Sequence, residues 1–155
     1  MKRFLLIISF LLITVYSFAN YADNKLSTDS IIFIVDTNTQ HSQIEQMKWP
    51  DGNEYIYLHL YDKNGEWVKR GIFRDAKCEA IEITPTQLNE LNVGIIDFAQ
   101  FVAANDKHAI WTEINKYERS GHPIYIIDVA EKTEDCIKLY PALGFMSNTS
   151  DLDHH

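Results

Sequence analysis

Apolar and polar positions fall into blocks with different periods. Ile31 to Val35 is an unbroken β-branched and aromatic run, which predicts a central strand buried on both faces. Thr37 to Lys48 is polar, with Ile44 and Met47 as its apolar anchors, and predicts a short helix. Trp49-Pro50-Asp51-Gly52-Asn53 reads as a turn. From Glu54 the period becomes two, with Tyr55, Tyr57, His59 and Tyr61 on one side and Ile56, Leu58 and Leu60 on the other. Asp62 to Gly65 supplies a hairpin turn, Trp67 to Phe73 a second strand and Cys78 to Ile83 a third, which together predict a three-stranded antiparallel meander.

Beyond the meander the period lengthens. Thr84-Pro85-Thr86-Gln87 combines a capping residue, a proline at the first helical position and a glutamine able to close a capping box. A second helical stretch carries Ile95, Phe98, Phe101 and Val102. A third opens at Asn105-Asp106 and stops at Ser120-Gly121. Ile124 to Val129 predicts another buried strand, and Thr133 the cap of a last helix through Cys136, Ile137 and Tyr140, closed by Gly144. The class is therefore α+β, a mixed sheet covered by helices from the C-terminal half. Residues 30–145 form its single domain, after a polar lead-in (20–29) and before a polar tail (146–155).

The first 19 residues change the setting. Met1-Lys2-Arg3 is positive, Phe4 to Val15 is apolar, and Ser17-Phe18-Ala19 places small residues where a signal peptidase cuts, so export to the periplasm or outside the cell is expected. The apolar run is about a dozen residues, short of the roughly 20 that span a bilayer, and no integral membrane segment is expected after cleavage. Removing the leader leaves 136 residues with 12 basic and 22 acidic side chains, a net charge of −10 against −8 for the whole chain. Such a balance disfavours nucleic acid, whose phosphates demand clustered lysine and arginine. In an oxidising compartment Cys78 and Cys136 are expected to form a disulfide, closing 59 residues. A loop of that length contributes about 4 kcal/mol in the chain-entropy model.

Few residues suggest chemistry. Asp36 and Asp128 follow or end the two apolar strands; if those strands are parallel neighbours, both carboxylates sit at one sheet edge, where α/β sites form. Against this, Asp36 is the residue type that opens a turn by bonding its own backbone. Tyr55, Tyr57, His59 and Tyr61 form either a binding face of rigid amphipathic rings or a layer packed beneath the helices. His41, His59, His108 and His122 lack the spacing of a zinc site, and His154-His155 ends the tail, so no metal is assigned. No nucleophile elbow, phosphate loop or EF-hand pattern is present.

Ile124 to Phe145, above all Leu139-Tyr140-Pro141-Ala142-Leu143-Gly144-Phe145, resembles the strand–helix–Gly–Phe segment near the end of acetyl-CoA-dependent N-acetyltransferases. Thr84-Pro85-Thr86-Gln87 stands where that family carries its glycine-rich pyrophosphate loop, so the resemblance implies shared local packing and no cofactor. Two functions fit. One is an exported, acidic protein-binding domain that blocks or escorts another exported protein, as inhibitors and immunity proteins do. The other is a small exported hydrolase using Asp36 or Asp128 with a histidine, which requires these groups to converge in a cleft.

Overall fold

The computed structural model describes residues 26–147. The expected leader, the first part of the lead-in and the tail from residue 148 lie outside the described residues. Five strands form a mixed sheet in the order β5-β8-β7-β1-β6, and four form an antiparallel sheet in the order β2-β3-β4-β9. In the first are β1 (Ile31–Val35), β5 (Ile81–Ile83), β6 (Gly94–Asp97), β7 (Ile124–Asp128) and β8 (Ile137–Pro141). In the second are β2 (Ser42–Lys48), β3 (Glu54–Tyr61), β4 (Trp67–Asp75) and β9 (Gly144–Ser147). The helices are α1 (Pro85–Glu90), α2 (Phe98–Ala104) and α3 (Lys107–Ser120). None of the described helices is long and apolar enough to cross a membrane.

The α+β class and the central position of β1 match the expectation. β1 pairs in parallel with β7 on one side and β6 on the other, and its neighbouring residues Ile32 and Phe33 are both fully buried, on opposite faces. On one face Phe33, Val35 and Ile126 meet Leu58, Leu60 and Ile72 of the second sheet, with α2 and α3 closing the layer through Phe98 and Ile110. The opposite face packs Ile32, Ile127 and Leu139 against Leu88 and Leu91, from α1 and its end, and against Leu26 of the lead-in. Arg70 fastens α3 to β4. Its guanidinium donates to Asn115 Oδ1 (2.8 Å), pairs with Glu118 and lies over the Trp111 ring.

Helix signals held where caps were explicit. Thr84 and Gln87 close a capping box on α1, Asp106 caps α3 and Gly121, at φ +69°, ends it. Elsewhere local pattern lost to strand pairing. The helix expected within residues 37–48 is β2, which runs in unbroken register along β3 with Ile44 and Met47 on opposite faces. Ile95, expected to open the second helical stretch, instead belongs to the edge strand β6 (Gly94–Asp97), and α2 begins only at Phe98, capped by Asp97. The expected last helix is β8. Thr133 takes the Cys136 N–H on its hydroxyl and donates its own N–H to the Cys136 carbonyl, closing a turn instead of capping a helix. The strand from Cys78 shortens to Ile81–Ile83 and joins β8 in the other sheet, so the meander is β2-β3-β4. The strand–helix–Gly–Phe likeness therefore does not extend to the structure. β9 carries the domain past Phe145 through Met146 and Ser147.

Two local features hold the second sheet in shape. Between His59 and Tyr61 the β3–β4 register shifts, from His59↔Gly71 to Tyr61↔Trp67, with Lys69 at φ +61° in the bulge. Gly71 is where backbone and ring come closest, since an added Cβ would stand 2.0 Å from the Leu58 carbonyl oxygen and 2.9 Å from Tyr57 Cζ. Asp62, 1% exposed, then pins the hairpin to α3. Its carboxylate accepts the N–H groups of Asn64 (2.8 Å), Glu66 (2.8 Å) and Lys107 (3.2 Å). Burial pushes its pKa up, but these backbone donors outweigh burial and hold it below the usual carboxylate range.

Gly71→Ala is expected to lower stability by about 3 kcal/mol or more, because neither the carbonyl nor the ring has room to yield; chemical denaturation that finds the variant within experimental error of the parent would contradict this packing. Because the folded pKa of Asp62 is depressed, its contribution is complete above about pH 4 and is lost as pH falls through the lowered value. Asp62→Asn is thus expected to flatten the acid limb of a stability-versus-pH curve, and an unchanged limb would show that Asp62 is not the group responsible.

Candidate functional site

Parallel pairing of β1 with β7 aligns Val35 with Asp128, which brings both strand-end aspartates to one sheet edge, as expected. Their side chains part there. Val35 and Asp128 share a face and line the cleft between the two sheets, whereas Asp36, one residue on, belongs to the opposite face. Asp36 accepts the Asn38 N–H (3.0 Å), and its carbonyl takes the Thr39 N–H and hydroxyl, which is the turn-opening role.

Asp128 is 6% exposed, and its carboxylate is fully engaged. One oxygen accepts the N–H groups of Thr37 (3.1 Å) and Ala130 (3.0 Å), and the other accepts the Thr37 hydroxyl (2.5 Å). Asp128 also caps the 3₁₀ turn Val129–Glu131, so one carboxylate joins the exits of β1 and β7. Beside it, Tyr140 of β8 donates its hydroxyl to Glu131 Oε2 (2.6 Å) and carries the Arg74 guanidinium 3.9 Å above its ring. Burial, reinforced by the Glu131 carboxylate, pushes the Tyr140 hydroxyl up to about 12.

Chemically this cleft is a latch. Its internal volume of about 30 Å³ has room for a water molecule or two, and its walls are mostly apolar, with Val35, Ile56, Leu58 and Ile126 among them, closed on one side by the polar groups of Thr37, Arg74, Asp128, Glu131 and Tyr140. No histidine lines it. His41 turns Nδ1 to the Asp62 carbonyl, His59 lies on the far face of the second sheet, His108 is exposed on α3, and His122 lines a separate groove beside Leu143. Among the described residues, no three His, Cys, Asp or Glu side chains gather to hold a metal ion.

Cys78 and Cys136 are both free, half-buried thiols in the structure, and no bridge joins them. The antiparallel pairing of Ile83 with Ile137 explains this, because it sets Cys136 past one end of the β5–β8 ladder and Cys78 past the other. At about 3.3 Å per strand residue, the three-residue ladder alone consumes the roughly 4–7 Å that a disulfide allows between its Cα atoms.

The four residues of the β3 face do come together, and on the side away from the core. The core takes Leu58 and Leu60, so Tyr55, Tyr57, His59 and Tyr61 lie on the opposite face and not beneath the helices, with Tyr55 and Tyr61 half-buried and Tyr57 itself buried there at 1% exposure. Cross-strand pairing adds Phe73 and Trp67 from β4, and Trp49 joins from the turn after β2. The rings form two contiguous rows. Trp49 leans on Tyr55 (4.9 Å between centroids) and Tyr55 meets Phe73 edge-on (5.9 Å). Tyr57 meets His59 edge-on (4.5 Å), and His59 reaches Trp67 (6.1 Å).

Each inner ring is locked in place. Tyr57 spans Gly71 and donates its hydroxyl to the Met146 carbonyl (2.6 Å), and burial pushes that hydroxyl up to about 12. His59 Nε2 lies 2.6 Å from Glu45 Oε2. Sequence alone identified the β3 members of this face and missed Trp49, Trp67, Phe73 and Glu45. The available signal was the period of two carried across the Asp62–Gly65 turn.

Comparison with protein-family models, with curated proteins and with solved structures returns no match.

Asp128→Ala is expected to cost about 1–3 kcal/mol by leaving its donors in the Thr37 and Ala130 turns unpartnered. A thermal or urea denaturation midpoint equal to that of the parent would show that the carboxylate does not hold the two strand exits together.

Proposed function

We propose that the chain is an exported, acidic protein-binding domain of the inhibitor- or immunity-like kind, and that it binds through the outer face of the second sheet. The observation that carries this reading is the set of pre-ordered rings on that face. Trp49 at 37% exposure and the half-buried Tyr55, Tyr61 and Phe73 offer apolar area on a rigid strand scaffold, with Tyr57 and His59 fixed beneath them. Rings already held in one rotamer lose little freedom on binding, which is why tyrosine and tryptophan dominate interface energetics. A net charge of −8 for the chain, −10 without the expected leader, favours encounter with a basic partner.

Hydrolysis lacks comparable support. It calls for Asp36 or Asp128 beside a histidine, whereas the two aspartates lie on different faces, no histidine lines the cleft at Asp128, and the Asp128 carboxylate is already taken by three donors.

The test is capture from the native cell envelope or medium by the immobilised domain, followed by mass spectrometry, in parallel with the double variant Trp49→Ala, Tyr55→Ala. A stoichiometric partner retained by the parent and reduced at least tenfold by a variant of unchanged circular dichroism is expected. Failure to recover any stoichiometric partner, or equal recovery by both proteins, overturns the proposal.

A further inference from the structure

Among the described residues, the second sheet has one long open edge. β2 ends the strand order, and its seven residues keep an uninterrupted register along β3 from Ser42↔Leu60 to Lys48↔Glu54. The edges β5, β6 and β9 have three, four and four residues. β2 also lacks the usual guards of an edge strand, since it contains no proline and no bulge, and its one lysine is its last residue.

Ladder parity identifies which backbone groups face outward. Trp49 donates its N–H to the Asn53 carbonyl (2.9 Å) and Tyr61 to the His41 carbonyl (2.9 Å), in the same register as β2–β3. In an antiparallel pair the hydrogen-bonded positions alternate, so Gln43, Glu45 and Met47 spend their backbone groups on β3. The N–H and C=O groups of Ile44, Gln46 and Lys48 therefore point off the edge. An extended chain laid along β2 would meet these groups at strand spacing. Alternate side chains of that chain would then fall beside Ile44, which is 48% exposed, and beside Glu45 at the border of the ring face.

Charge selects the occupant. Along β2, the turn after it and the paired start of β3 the chain carries three carboxylates, Glu45, Asp51 and Glu54, and one lysine, Lys48. A second copy would bring the same excess of negative charge to its own edge, whereas a basic segment would relieve it. Resting on the protein-binding reading above, we infer that the partner presents an extended segment rich in lysine or arginine, which adds to β2 as a fifth strand of the second sheet.

The test uses a fluorescein-labelled octapeptide alternating lysine with valine and threonine, its glutamate counterpart, and amide hydrogen exchange followed by NMR on the whole domain. The lysine peptide is expected to bind and to slow exchange at the Ile44, Gln46 and Lys48 amides at least tenfold, leaving those of Gln43, Glu45 and Met47 unchanged. Gln46→Pro removes an outward N–H without touching the β3 ladder and is expected to weaken binding at least tenfold, while Gln46→Ala retains it.

Absence of binding, equal binding of the glutamate peptide, or full affinity in Gln46→Pro overturns the inference. Protection of the same amides without peptide, rising with protein concentration, assigns the edge to a second copy and likewise overturns it. If the captured partner depends on Trp49 and Tyr55 but leaves the β2 amides unprotected, strand addition fails while the protein-binding reading stands; loss of both sinks both.

Discussion

The parallel pairing of β1 with β7 is the constraint on which the other parts depend. Both strands are apolar on both faces, so neither can be placed without something packed above and below it. The four-stranded sheet with α2 and α3 satisfies one face, and α1 with Leu26 the other. Once Val35 lies level with Asp128, the turn after β1 falls under the Asp128 carboxylate and the strand exits are tied. The cleft between the sheets is then narrowed to room for a water molecule or two, and the second sheet is left with its opposite face available for other uses.

That opposite face explains why aromatic residues are so concentrated on β3 and β4. A sheet packed on one side must present polar or amphipathic groups on the other, and rings with hydroxyl or imidazole tips meet that demand while shielding the strands. Tyr57 shows the arrangement most clearly. Its ring covers the bare backbone at Gly71, and its hydroxyl reaches the β9 carbonyl of Met146, so one side chain joins three strands. The surface is thus ordered by the same contacts that complete the sheet.

Legibility in the sequence followed the range of the forces involved. Interactions within a few residues were readable, as in the Thr84–Gln87 box, the Asp106 cap, the Gly121 stop and the Asp36 turn. So was the class, because unbroken apolar runs and alternating runs differ in period. What misled was spacing in segments whose structure is set by a distant partner. Ile44 and Met47 are three residues apart, as on a helix, yet the ladder with β3 decides their geometry. Thr133 and Cys136 satisfy each other as readily in a turn as at a helix start, and only β7 and β5 determine that a strand follows. For the candidate site, both aspartates and half of the ring face were visible, but their opposite orientations and the remaining rings arise from register, which no local window contains.

The bulge in β4 carries a consequence of arithmetic. The sum of paired residue numbers is 130 at His59 and Gly71 and 128 at Tyr61 and Trp67, so β4 holds two residues more than β3 across that interval. Two is a whole period of a strand. The surplus therefore twists the hairpin while leaving Trp67 and Phe73 on the same side. A surplus of one would have sent Trp67 into the core and Val68 to the surface. The chain's tolerance for length change around Lys69 is in this sense binary, with even changes preserving the inside and the outside of the sheet and odd ones exchanging them.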